Sequence, residues 1–131
     1  MAGRTNLAKL NCSLAAALNV VGDWWTLLIV RDAFLGLRRF GEFQQSLGVA
    51  KNILAARLQR LVEYGILARE GAERRPLYKL TKKGRALAPA LLALMQWGDH
   101  WATDGPPPML ATDRRGKALD AVQVTNRAGV V

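Results

Sequence analysis

The sequence predicts a mainly α domain of the α+β class: four short helices, a two-stranded hairpin and a long C-terminal helix. Three observations predict it. Apolar residues recur at helical spacing in segments closed by glycines, and two short apolar runs flank a basic loop. Half of the 131 residues are apolar, enough for one core.

Asn11 is the expected N-cap of a first helix that contains Leu14 and Leu18 and ends at Gly22. Asp23 caps a second over residues 24–35, apolar nearly all round and therefore central, with Gly36 as its stop. Residues 39–47 form a third, closed by Gly48. After a tight turn, residues 50–64 carry Leu54, Leu58, Leu61 and Val62 at helical spacing, and Gly65 ends them. Residues 66–70 and 77–80 read as strands around a loop with Arg74 and Arg75 at its tip. Thr81 caps a long helix through Trp101, whose apolar residues cover more than one face. The stretch Asp104-Gly105-Pro106-Pro107-Pro108 ends it. Beyond lie two segments that either pair as a hairpin around Arg114-Arg115-Gly116-Lys117 or are disordered. The expected organisation is an arm over residues 1–10, a domain over 11–103 and a tail over 104–131.

Helix, Gly-containing turn, helix, hairpin and helix is the order of a winged helix-turn-helix with a two-stranded wing and a long C-terminal dimerisation helix. Charge agrees with that order. The chain carries a net +9, and residues 38–85 hold twelve basic side chains against four acidic ones, which is +8 of the total. A polyanionic partner is implied, and double-stranded DNA is the one a groove-entering helix can read. The helix over residues 50–64 is the expected recognition helix. With Leu58 at the centre of its buried face, Asn52, Ile53, Ala56, Arg57 and Arg60 fall on or near the opposite side as base readers. Asn52 suits adenine, Arg57 suits guanine, and Ile53 and Ala56 suit thymine methyls. Arg38, Arg39, Lys51, Arg74 and Arg75 are the expected phosphate contacts. Leu14 and Leu18 of the first helix, with Leu91, Leu94, Met95, Trp97 and Trp101 of the last, supply the expected homodimer contact.

From Cys12 to Trp101, about 90 of 131 residues, the chain resembles the HxlR-type family of winged-helix transcriptional regulators. The resemblance is carried by Cys12 ahead of a short helix, Gly22-Asp23-Trp24-Trp25-Thr26-Leu27-Leu28-Ile29, and Arg39-Phe40-Gly41-Glu42-Phe43. It continues through Leu54, Arg57-Leu58 with Leu61, Gly65-Ile66-Leu67, Tyr78-Lys79-Leu80-Thr81-Lys82-Lys83-Gly84, Pro89 and Trp97-Gly98. It implies a homodimer that binds a pseudo-palindromic operator and represses or activates nearby genes. The chain departs from the pattern at Ala50, where a Ser often caps the recognition helix, and at Ala55 and Ala56, where polar residues are common. Cys12 matches the position that some relatives use as a sensor of redox state or electrophiles, so a small-molecule effector is a candidate partner. Alternatively, Cys12 is a small packing residue near the dimer contact.

Other classes are excluded or disfavoured. One Cys and one His cannot build a four-ligand metal site from thiols and imidazoles, and no cofactor motif occurs. No acid–base set, phosphate loop or assisted nucleophile points to an enzyme. No stretch approaches the roughly 18 apolar residues of a membrane span, and no export signal opens the chain, so a cytoplasmic location is expected. Structured RNA offers too narrow a major groove for this helix. The alternative of another class is a winged-helix protein-interaction module that does not touch DNA. The wing arginines and the +8 segment count against it.

Overall fold

The computed structural model describes residues 7–71 and 74–129. It divides into two compact units, Met1–Ala86 and Leu87–Val131, so the division falls well before Asp104. The first contains a 3-10 turn (Leu7–Lys9), α1 (Ser13–Val21), α2 (Trp24–Phe34), α3 (Phe40–Leu47), α4 (Lys51–Glu63), β1 (Leu67–Glu70), β2 (Leu77–Leu80) and α5 (Lys82–Arg85). This is the winged helix-turn-helix order that the sequence predicts.

Helix α1 starts one residue later than expected. Cys12, not Asn11, is its N-cap, with an extended backbone and no side-chain bond to the helix. Helix α2 begins as predicted, the Asp23 carboxylate accepting the Thr26 amide at 3.2 Å. The two helices meet at 77° around Gly22. A Cβ there would lie 2.3 Å from the Leu18 carbonyl oxygen, so the corner admits only glycine. Helix α2 packs against α1, α3, α4 and β2, and it buries Ile29, Val30 and Ala33.

Helix α3 has no Ser, Thr or Asp at its start. Instead the Glu42 carboxylate accepts the amides of Arg38 and Arg39, each at 2.9 Å. Gly48, at φ 64°, makes the left-handed turn into α4. The N-cap of α4 is Ala50, which offers no side-chain acceptor. Tertiary burial of Leu54, Leu58 and Leu61 therefore holds the helix, each fully buried leucine contributing about 2 kcal/mol. Phe43, Ile29, Ile66 and Leu67 complete the core of this unit. Strands β1 and β2 pair antiparallel from Leu67 opposite Leu80 to Glu70 opposite Leu77.

The expected continuous helix from Thr81 to Trp101 is instead two. Thr81 caps α5, accepting the Gly84 amide at 3.1 Å, and Ala86 ends it. Pro89, one residue into α6 (Ala88–Trp101), has no N–H for the Arg85 carbonyl, and its ring would clash there, so the helix breaks.

In the second unit no residue of α6 is buried. The chain beyond it returns onto α6. Gln96 donates to the Asp120 carbonyl at 3.0 Å and accepts the Val122 amide at 2.7 Å. Thr112 and Ala118 form a single antiparallel bridge around a turn, where the Asp113 carboxylate accepts the amides of Arg115 and Lys117. Among the described residues no single helix is long and apolar enough to cross a membrane.

Candidate nucleic-acid interface

The Gly48 turn and the three buried leucines decide which side of α4 faces outward. Lys51, Asn52, Ala55, Ala56 and Gln59 are exposed, and Ile53 is half-buried. Gln59 is steadied by Glu63 one turn on, at 3.2 Å. Along one flank runs a shallow cleft lined by Phe40, Ala55, Gln59, Arg69 and Arg74. A second cleft brings Arg39, Arg74 and Arg75 together at the start of α3. The Arg39 guanidinium donates to the Arg75 carbonyl, tying α3 to the wing, and both wing arginines remain exposed. Backbone bonds from Arg38 and then Arg39 hold the Glu42 carboxyl below its ordinary pKa, so the acid in this cleft is occupied by amides.

Three expected contacts lie elsewhere. Arg57 does not face outward: its Nε lies 3.1 Å from Asp23 Oδ1 as an ion pair without hydrogen-bond alignment. Arg60 donates to the Asn19 carbonyl of α1 at 2.7 Å and lies over the Tyr64 ring. The physical reason is the centre of the buried stripe. Leu54, Leu58 and Leu61 together centre it about 30° from Leu58 toward Arg57, which places Arg57 on the flank. Arg38 donates to the carbonyls of Ala33 and Leu37, both at 3.0 Å, and so serves the C-terminal end of α2. Lys51, Arg39, Arg74 and Arg75 remain available at the surface.

Sequence reasoning missed two features. Ala55 and Gln59 are exposed; centring the wheel on all three leucines turns Gln59 to the outer face and Ala55 to its edge. Asp23 was visible as a cap, but its partnership with Arg57 joins residues far apart in sequence and has no local signal. Burial opposes the Asp23 charge, yet Arg57 and the amides of Thr26 and Trp25 outweigh it and hold the pKa below the ordinary value.

Five of the residues expected to meet a second subunit are left exposed by their own unit, as are Leu10, Trp24 and Leu35. Leu14 is 67% exposed and Leu18 42% in the first unit; Leu94 is 54%, Trp97 59% and Trp101 71% exposed in the second. Leu91 and Met95 are half-buried. Cys12 is exposed. No group of His, Cys, Asp or Glu among the described residues is arranged to hold a metal ion.

Comparison with known proteins agrees with this geometry. The profile of the HxlR-like helix-turn-helix family matches residues 20–105. The chain is 40% identical to the uncharacterized HTH-type transcriptional regulator Rv3095 of Mycobacterium tuberculosis, over 89% of this chain and 77% of that one. Among solved structures, it is similar to PA1607, a candidate transcription factor, with 46% identity and a TM-score of 0.85 over 96% of this chain and 92% of that one. It is also similar to the redox regulator HypR in its reduced form, with 28% identity and a TM-score of 0.63 over 68% of this chain and 92% of that one.

Proposed function

Because the chain belongs to the HxlR-like helix-turn-helix family of transcriptional regulators, we propose that it binds a pseudo-palindromic duplex DNA site as a homodimer in the cytoplasm. The N-terminal half of α4 enters the major groove. Asn52 bonds a base edge there, and Ile53 and Ala56 meet thymine methyls. Gln59 and Ala55 join this face, while Arg39, Lys51, Arg74 and Arg75 hold phosphates. The observation that carries the reading is the exposed outer face of α4, with Lys51 at its start and Arg74 of the wing beside it. Its uncovered apolar residues on α1 and α6 support the second copy.

Binding-site selection followed by fluorescence anisotropy tests the division of labour. Asn52→Ala is expected to relax preference at particular base pairs by about 1–3 kcal/mol, whereas Arg74→Ala and Arg75→Ala weaken all sequences alike. Four phosphates neutralised per subunit give log affinity against log salt a slope of about −7. A slope near zero would remove DNA binding and leave the protein-interaction module in its place.

Cys12 is the proposed point of effector control. It is exposed at the start of α1, and the similarity to a redox regulator favours this role. With no second Cys in the chain, modification takes the form of an adduct, a mixed disulfide with a small thiol, or a bridge between subunits. Wild type is expected to release the selected DNA site on treatment with a quinone or diamide, and Cys12→Ser is expected to stay bound. Equal behaviour of the two proteins in a mobility-shift assay returns Cys12 to packing.

A further inference from the structure

Two arginines of α4 turn from the outer face and end on one feature, the corner between α1 and α2. Arg57 meets Asp23, a nearly fully buried carboxylate that also caps α2 through the Thr26 amide. One turn further along α4, Arg60 donates to the Asn19 carbonyl at 2.7 Å, on the other side of Gly22. Asn19 in turn accepts the Leu7 amide through its side chain at 3.3 Å. The corner itself is rigid: Gly22 donates to the Leu18 carbonyl at 2.7 Å, and there is no room for a Cβ.

Apolar packing of Leu54, Leu58 and Leu61 fixes how deeply α4 sits. Its buried stripe chooses which side turns outward, but it has no bond direction of its own, so it opposes small rotations about that setting less sharply than polar contacts do. Hydrogen bonds and close ion pairs do resist them, because a turn of about 20° moves a side-chain tip by about 2 Å, beyond their reach. One polar contact would leave a pivot, whereas two, spaced a turn apart along α4, define an angle.

We infer that Arg57 and Arg60 are positioning residues that set the rotation of the recognition helix from the α1–α2 corner, and so determine base specificity without touching a base. The inference rests on the DNA-binding reading above. Loss of one grip lets α4 rotate in its seat, so every base pair that the helix reads loses discrimination together. A residue reading a base directly would lose it at its own base pair alone.

The test uses Arg60→Met, which keeps an unbranched side chain but removes the bond to α1 and the cation over Tyr64, and Arg57→Lys, which keeps a charge beside Asp23 but not the guanidinium geometry. Each is compared with wild type in binding-site selection, and in affinity for the selected duplex against a scrambled one of equal length, after circular dichroism has verified the fold. The selected duplex is expected to bind about tenfold more weakly, with base preference flattened at all positions read by α4 and the scrambled duplex changed far less. Arg60→Lys, which can still donate to the Asn19 carbonyl, is expected to recover part of the selectivity. Relaxation at a single base pair, or an unchanged ratio of selected to scrambled affinity in folded protein, overturns the inference. A wild type that binds no duplex overturns the DNA-binding reading itself and is distinguished by that control. Should Arg60→Met fail to fold, Arg57→Lys decides by the same two outcomes.

Discussion

Arg57→Ala is expected to lower folding stability by about 3 kcal/mol at neutral pH, because it strands a buried carboxylate without its counter-charge. The Arg57 side chain is 24% exposed and that of Asp23 2%, which places the loss near the lower end of the range for breaking a buried pair. The sign of its pH dependence is also defined. The pKa of Asp23 is depressed in the folded protein, so the pair contributes its full stability above the unfolded value of about 3.9 and loses it as pH falls through the folded value. In Arg57→Ala the burial penalty has lost its main opponent. Acid therefore relieves the variant: its gap from wild type begins to narrow above the unfolded value of about 3.9 and is smaller at pH 4 than at pH 7. Asp23→Asn combined with Arg57→Ala is expected to recover part of the loss, since no charge is then buried. Urea unfolding of the three proteins at pH 7 and pH 4 measures this. A gap that is small at pH 7, or that widens in acid, would show that the pair is not a determinant of the fold.

Leu94→Glu combined with Trp101→Glu is expected to convert the proposed homodimer into a monomer and to lower affinity for the selected DNA site by about 100-fold or more. Leu94, Trp97 and Trp101 stand on one face of α6 at helical spacing, and each is more than half exposed in the single chain. Aromatic side chains of this size dominate interface energetics, and a carboxylate at the same position must be dehydrated for a subunit to dock. Glutamate is a good helix former, so α6 itself is retained. Linking two half-site contacts multiplies avidity by about 100- to 10,000-fold, and separated subunits forfeit that factor. Sedimentation velocity at micromolar protein, beside anisotropy on the same samples, reads both effects. A wild type that sediments as a monomer overturns the homodimer, and a variant that stays dimeric removes α6 from the contact.

The elements were legible because this chain marks its boundaries with glycines whose backbone requires them. Gly36, Gly48 and Gly65 all take positive φ, and each follows a segment with helical apolar spacing. The break between α5 and α6 was less legible even though Pro89 is plain in the sequence. Proline is compatible with the first turn of a helix as well as with interruption of a longer one, and only the fate of the Arg85 carbonyl separates the two. The outer face of α4 was partly legible: Asn52 and Ala56 stand where the helical wheel puts them, and Ile53 at its margin. Arg57 and Arg60 do not, because a long cationic side chain can reach either solvent or a neighbouring helix. Its choice depends on a partner from another part of the chain.

The sharing of one helix between two sets of side chains bears on how such a protein can diverge. Asn52, Ala55 and Ala56 contribute nothing to the buried core, whereas Leu54, Leu58 and Leu61 build it, and Arg57 and Arg60 orient the helix on its neighbours. A gene copy can therefore wander through new target sequences by exchange at the first set, each step almost free of folding cost, while the second set holds the chassis constant. The same partition supplies a ready blueprint for an addressable family: randomise three exposed positions, leave their five inward-turned neighbours untouched, and sort the library by the DNA it retains.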